Sequence, residues 1–237
     1  MPLSASPKDA RTIEDVRHIS YLDRRSFLQS SAAFVAACSV TGGLLFAPEM
    51  ALADEAKLNL LGPQPGYSSQ VGTFVSMLAW MREANGVISA TKGLSMADLD
   101  YLSDPKADTI GALMLHLAAT ETYYQLNTFG GMKWDTWSET IKQKWDPAMD
   151  LGDAGSKTIK GHDRDYYLNI LQETRGKTLA EFEKRDDIWL MVVDNDWFWG
   201  PTNNYCKWFH VCEHEAHHTG QIAYLKKRLP GAKPSGE

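Results

Sequence analysis

Phe209–Leu225, FHVCEHEAHHTGQIAYL, decides how the rest of the chain is read. Four of the seven histidines (His210, His214, His217 and His218) fall inside it. No proline interrupts it, and Lys226, Lys227 and Arg228 follow where cations suit the negative end of a helix dipole. Pro230 and Gly231 then stop the helix. At about 100° per residue, His210 and His218 lie roughly 40° to either side of His214, and His217 about 60° off on the side of His210. Gln221 and Leu225 lie within about 20° of His214. Residues i and i+4 are neighbours on a helix, so His214 and His218 can reach one ion together. Imidazole at this spacing suits zinc first, with nickel, iron or copper as alternatives.

Working outward, the 237 residues leave room for a targeting segment and one domain. The charges within residues 1–53 cancel, so the formal net charge of −6 is borne by the remainder. A mildly acidic domain without a basic stripe argues against nucleic acid as a partner, and there is no polybasic signal for anionic membranes. Residues 1–53 read as an address. Arg24-Arg25-Ser26-Phe27-Leu28 precedes a weakly apolar run from Ala32 to Ala47, and Ala51-Leu52-Ala53 offers a cleavage site before Asp54. This resembles a twin-arginine export signal and predicts a periplasmic or extracytoplasmic protein that engages that export machinery. The run is too short and glycine-broken for a membrane span. Val35-Ala36-Ala37-Cys38 resembles a lipoprotein box, which gives an alternative in which Cys38 carries lipid.

Residues 54–65 form a polar lead-in, residues 66–230 a helical domain, and residues 231–237 a tail. Apolar spacing predicts a first helix over Gly66–Thr91, stopped by Gly93. A connection to Asp108 with one short turn follows. Its four aspartates lack EF-hand spacing. Asp108 or Thr109 caps a second helix running to Phe129, with His116 on the face shared by Ala112, Leu113, Thr120, Tyr123 and Asn127. Glu121 lies about 140° away. The Trp-rich stretch between second and third helices predicts a short helix near Trp134–Lys144 and then a long loop to Gly161. The third helix is expected over Asp163–Leu190, an aromatic link over Trp189–Pro201, and the fourth helix from Asn203. The fold class is therefore all-α, most simply an antiparallel four-helix bundle with ligands projecting inward.

A two-histidine site needs a third ligand from another element. His116 and His162 are the remaining histidines of the domain, and His162 lies in a loop-like GHDRD segment. The LMLHLAATE helix together with HEAHHTGQI resembles the DinB/YfiT-like superfamily over about Gly66–Leu229. That family places one histidine on the second helix and an H-x-x-x-H pair on the last. The resemblance thus implies a divalent-metal site of His116, His214 and His218, with Thr219-Gly220-Gln221 following. It implies a four-helix bundle, and several members are transferases that use low-molecular-weight thiols. Pairing of two copies through helix faces is a further implication.

Three histidines leave a coordination position open, the form of a catalytic site. The expectation is an exported, metal-dependent hydrolase or thiol transferase acting on a small molecule. His210, His217, Tyr123 and Gln221 are candidate pocket or supporting groups. The alternative is a non-catalytic bundle with a structural metal or a ligand pocket. His214-Glu215-Ala216-His217-His218 also matches the zinc-protease pattern H-E-x-x-H. No third ligand follows it at the required distance and no strand series accompanies it, so the protease reading is disfavoured.

Overall fold

In the computed structural model, residues 60–83 and 86–232 are described. The expected export signal, Cys38 with its expected lipoprotein box, and the end of the tail lie outside them. Helix α1 spans Ser69–Arg82, α2 Val87–Ala90, α3 Met96–Leu99 and α4 Ile110–Thr128. Then come α5 (Glu139–Asp150), α6 (Gly152–Thr158), α7 (Arg164–Phe182) and α8 (Asp187–Leu190). Strands β1 (Val193–Asp194) and β2 (Thr202–Asn203) pair antiparallel and lead into α9 (Asn204–Lys226). Long helices α1, α4, α7 and α9 form the all-α bundle. Among the described residues no helix is long and apolar enough to cross a membrane.

Side-chain caps begin the helices where the sequence places them. Thr109, Asp163 and Asn203 each accept a backbone N–H from the first turn of α4, α7 and α9. Three expectations are corrected. The first helix ends at Arg82, and α2 is a separate piece. Gly86, just before α2, lies so close to the end of α1 that a Cβ on it would lie 1.6 Å from the Met81 carbonyl oxygen. The stretch from Trp145 to Gly161, expected as loop, is mostly helical in α5 and α6, with Pro147 carried inside α5. Positive φ at Leu151 and Gly152 turns the corner between the two, and the Asp108 carboxylate accepts the Gly152 N–H at 2.7 Å. The third helix stops at Phe182, eight residues early. Asp187 is drawn away to accept the Ser68 hydroxyl at 2.7 Å and the Gln70 N–H at 2.8 Å, capping the start of α1.

Cross-helix contacts give the directions. Tyr124 meets His210, His116 meets His214, and Asn127 meets Lys207, so α4 and α9 run antiparallel, as expected for the pair carrying the histidines. Gly111 abuts Tyr167 and Gln125 reaches Thr178, so α7 runs parallel to α4. A parallel neighbour requires the connection to travel back along the bundle. Helices α5 and α6 make that return, packed back along α4 through Tyr123–Asp146, His116–Ala148 and Asp108–Gly152.

A polar layer divides the core. Along α7 the buried order is Tyr167, Leu171, Arg175, Phe182, and along α9 it is Trp208, Cys212, Glu215, Ile222. Arg175 and Glu215 join Arg82 of α1 and Glu121 of α4, one residue from each long helix. Arg82 Nε–H donates to Glu215 at 2.7 Å and its Nη2–H to Glu121 at 3.0 Å. Arg175 donates to Glu121 at 2.8 Å and to Glu215 at 2.8 Å. Carbonyl oxygens of Leu171 and Leu78 accept the guanidinium Nη1–H groups at 2.7 and 2.8 Å. Two positive and two negative charges therefore bury together with their hydrogen bonds satisfied, which is the condition under which such charges can be tolerated inside a protein.

Candidate metal centre

His116 projects from α4 and is buried; His214 and His218 project from successive turns of α9. One ring nitrogen from each lies within 4.8 Å of the others. Among the described residues no fourth His, Cys, Asp or Glu joins this group. The Nε2 atoms of His116 and His214 face each other at 2.8 Å. His116 uses its other nitrogen: Nδ1–H donates to the Ala148 carbonyl of α5 at 2.8 Å. His218 Nδ1–H donates to the Gln221 side-chain oxygen at 2.6 Å. Fixing Nδ1 in this way orients the ring and leaves Nε2 with a free lone pair, the usual support of a metal-ligating histidine.

Electrostatics agree with that state. Burial lowers the pKa of His116 despite its bond to Ala148. His214 is pushed down to about 2, first by burial and then by the surrounding imidazoles. His218 falls to about 4 for the same reasons, burial leading and His116 next. All three are neutral at neutral pH and able to donate a lone pair.

The supporting candidates separate. Gln221 sits against His218, as described. His210 stands one turn before His214, its ring centroid 5.1 Å from that of His214 and its Nδ1 paired with the Tyr124 hydroxyl at 2.7 Å. His217 points outward and sits 3.9 Å from Glu213 on the surface. Tyr123 lies between Trp134 and Trp137 and donates its hydroxyl to Asp146, joining α4 to α5 rather than facing the three histidines. His162 is stacked on Tyr166 at 3.7 Å before α7.

Three contributors were not among the site groups named from sequence, although Thr120 was placed on the His116 face. Ala148 acts through its carbonyl, which no residue pattern reveals. Thr120 is the second: its hydroxyl lies 3.3 Å from His214 Nε2. Glu215 is the third, and its role is structural. Adjacent to His214 in sequence, it lies about 100° round α9 and is held by both arginines, which removes it from any general-base role at the histidines. A cavity of about 530 Å³ between α1 and α7 lies over Arg82 and Arg175 and is lined by none of the three histidines.

Fold and site together define a DinB-type helical bundle with a triple-histidine cluster between its second and last long helices, His116 and His218 buried and His214 half-buried. A family model described as mycothiol S-transferase matches residues 73–231, and the chain belongs to that family. Among solved structures, a conserved protein from Enterococcus faecalis matches with a TM-score of 0.50 and 16% identity, over 66% of this chain and 94% of that one, a likeness of fold. No curated protein matches the chain.

Proposed function

We propose that this protein is a divalent-metal-dependent transferase that joins a low-molecular-weight thiol to an electrophilic small molecule at the His116–His214–His218 site. The carrying observation is the convergence of three neutral imidazoles, two of them oriented through Nδ1, with one ring nitrogen of each within 4.8 Å of the others. The donor set fits a borderline divalent ion, zinc first, with nickel or iron next. Such an ion, when bound, supplies Lewis acidity that lowers the pKa of a thiol or water beside it. The chain's own residues do the rest. Ala148 and Gln221 hold the ring orientations. Thr120 offers a hydroxyl next to His214. Burial of the histidines limits water at the reacting groups.

Membership of a family named for mycothiol favours a thiol over water as the nucleophile, and so favours transfer over hydrolysis. Three histidines without a fourth protein ligand among the described residues favour a catalytic site over a purely structural one. The test is to load the protein with one equivalent of zinc and follow conjugation of mycothiol, cysteine or glutathione to an aryl halide. Thiol-dependent conjugation that vanishes in His116→Ala is the expected result. Failure of wild-type protein to retain zinc, nickel or iron would remove the reading. The twin-arginine signal is a separate proposal, supported by the residues around Arg24-Arg25; precursor accumulating in the cytoplasm of an Arg24→Lys/Arg25→Lys variant is its check.

A further inference from the structure

The loop between β1 and β2 presents two large aromatic rings to solvent beside the histidine cluster. Phe198 is 56% exposed and Trp199 47%, whereas Trp197 between the strands is 3% exposed. The loop is firmly held. Lys207, fully buried on α9, donates to Asp194 at 2.7 Å and to Asn127 at 2.8 Å, and its ammonium sits 4.1 Å from the Trp197 ring centroid. Trp197 packs edge-on against Tyr124 and Trp134 at 5.5 and 5.0 Å. The Gly200 N–H closes the turn onto the Trp197 carbonyl at 2.8 Å, with Gly200 in the left-handed region at φ 98°. A buried ammonium and a buried indole thus fix the backbone that carries two half-exposed rings.

Position gives those rings a use. Trp199 meets His210 edge-on at 4.8 Å, and His210 lies 5.1 Å from His214. The Tyr124 hydroxyl holds the His210 ring between them. Phe198 leans on Trp134 at 5.1 Å and on Trp199 at 5.1 Å. The loop's own acids are paired, Asp194 with Lys207 and Asp196 with Lys133 at 2.7 Å, and Glu213 on α9 lies toward His217 at 3.9 Å. An apolar aromatic surface without an unpaired charge on its own loop, set in advance and two ring contacts from His214, suits a flat neutral group.

We propose that Phe198 and Trp199 form a stacking subsite for a planar, uncharged aromatic group of the electrophilic substrate, with Lys207 as the positioning residue of the loop. This rests on the transferase reading above for its purpose, but the binding itself does not require the metal. The subsite selects which electrophile is brought to the histidines and takes no part in bond making.

The experiment measures the Kd of 2-naphthol, a neutral flat probe, against cyclohexanol, which lacks a flat face. Wild type, Phe198→Ala/Trp199→Ala, Trp199→Phe and His214→Ala/His218→Ala are compared. The expected result is saturable naphthol binding weakened about five- to tenfold by the double alanine change, in the range of an aromatic pair's contribution. Trp199→Phe should bind within about twofold of wild type, because a ring remains. Cyclohexanol should bind measurably more weakly, and the His214/His218 variant should hold naphthol as wild type does. Equal affinity in the double alanine variant, equal binding of the two probes, or loss of naphthol in the histidine variant would each overturn the subsite. Failure of the metal reading shows instead in zinc content and leaves naphthol binding in place.

Discussion

Glu215→Gln separates two readings of the HEAHH stretch. The side chain is 2% exposed and accepts from both Arg82 and Arg175. Replacement by the isosteric amide keeps the shape but leaves two guanidinium groups sharing the single carboxylate of Glu121 in the interior. Breaking a buried ion pair from one side costs about 3–5 kcal/mol, because a charge is left without compensation. Against a total stability of about 5–15 kcal/mol this is a large fraction. For a domain of this size it corresponds to a Tm lower by about 6–20 °C. The assay is urea and thermal unfolding of the metal-free protein, followed by zinc content at low temperature, where the fold persists. Adding Arg82→Gln restores one positive charge to one negative, and the double variant should be less unstable than the two single losses summed, with a coupling of about 0.5–3 kcal/mol. A Glu215→Gln protein that melts within about 1 kcal/mol of wild type yet loses all activity would refute the structural role and bring back the general-base reading.

Three further outcomes follow from the same contacts. Gln221→Ala frees His218 Nδ1, so zinc affinity should fall about 10–100-fold with little change in melting, measured by competition with a chromophoric chelator; unchanged affinity would detach Gln221 from the site. In the metal-free protein, His214 and His218 are held at about 2 and about 4, below the ordinary histidine value near 6.5. The unfolded chain therefore takes up protons first as pH falls, and stability that is full above about 6.5 declines through about 4. Glu121, held at about 2 against the desolvating effect of burial by Arg175 and then Arg82, extends the decline in the same direction below its unfolded value of 4.5. A urea midpoint that stays flat between pH 6.5 and 4 would contradict this. Finally, a Cβ at Gly111 would lie 2.7 Å from the Tyr167 hydroxyl, which is buried and has no hydrogen-bond partner among the described residues. Gly111→Ala should cost about 1–3 kcal/mol and be rescued in part by Tyr167→Phe, read by equilibrium unfolding.

The legible parts of this chain were those written in side chains at fixed spacing. His214 and His218 are one helical turn apart whatever surrounds them, and Thr109, Asp163 and Asn203 cap helices by local bonds. Those features need no knowledge of the fold. What escaped depends on distant partners. The end of α7 at Phe182 is set by Asp187 reaching to the start of α1, more than a hundred residues back. The helical state of residues 145–158 escaped because tryptophan, glycine and proline there read as loop, while the contacts that pack this segment against α4, Ala148 on His116 and Gly152 on Asp108, come from far along the chain. The orientation of His116 comes from a backbone carbonyl on that same returning segment, so the site could be located from sequence but its support could not.

The same reasoning explains why the protease pattern misleads. A motif fixes the spacing of residues along a helix, but the chemistry is decided by which face meets which neighbour. On α9, His214 and Glu215 are adjacent, and one helical step of about 100° sends them to different sides. One side meets His116 and the α5 carbonyl; the other meets two arginines from α1 and α7. A faint signal of the second arrangement was present in the sequence. Glu121 sits in the most apolar helix of the chain, about 140° from His116, where a lone carboxylate would be costly unless a cation from another helix met it. A lone charge in a buried helix, turned well away from a metal-type histidine, is thus itself evidence for a charged partner layer, and here it predicts that the site and the clamp occupy different faces of the same two helices.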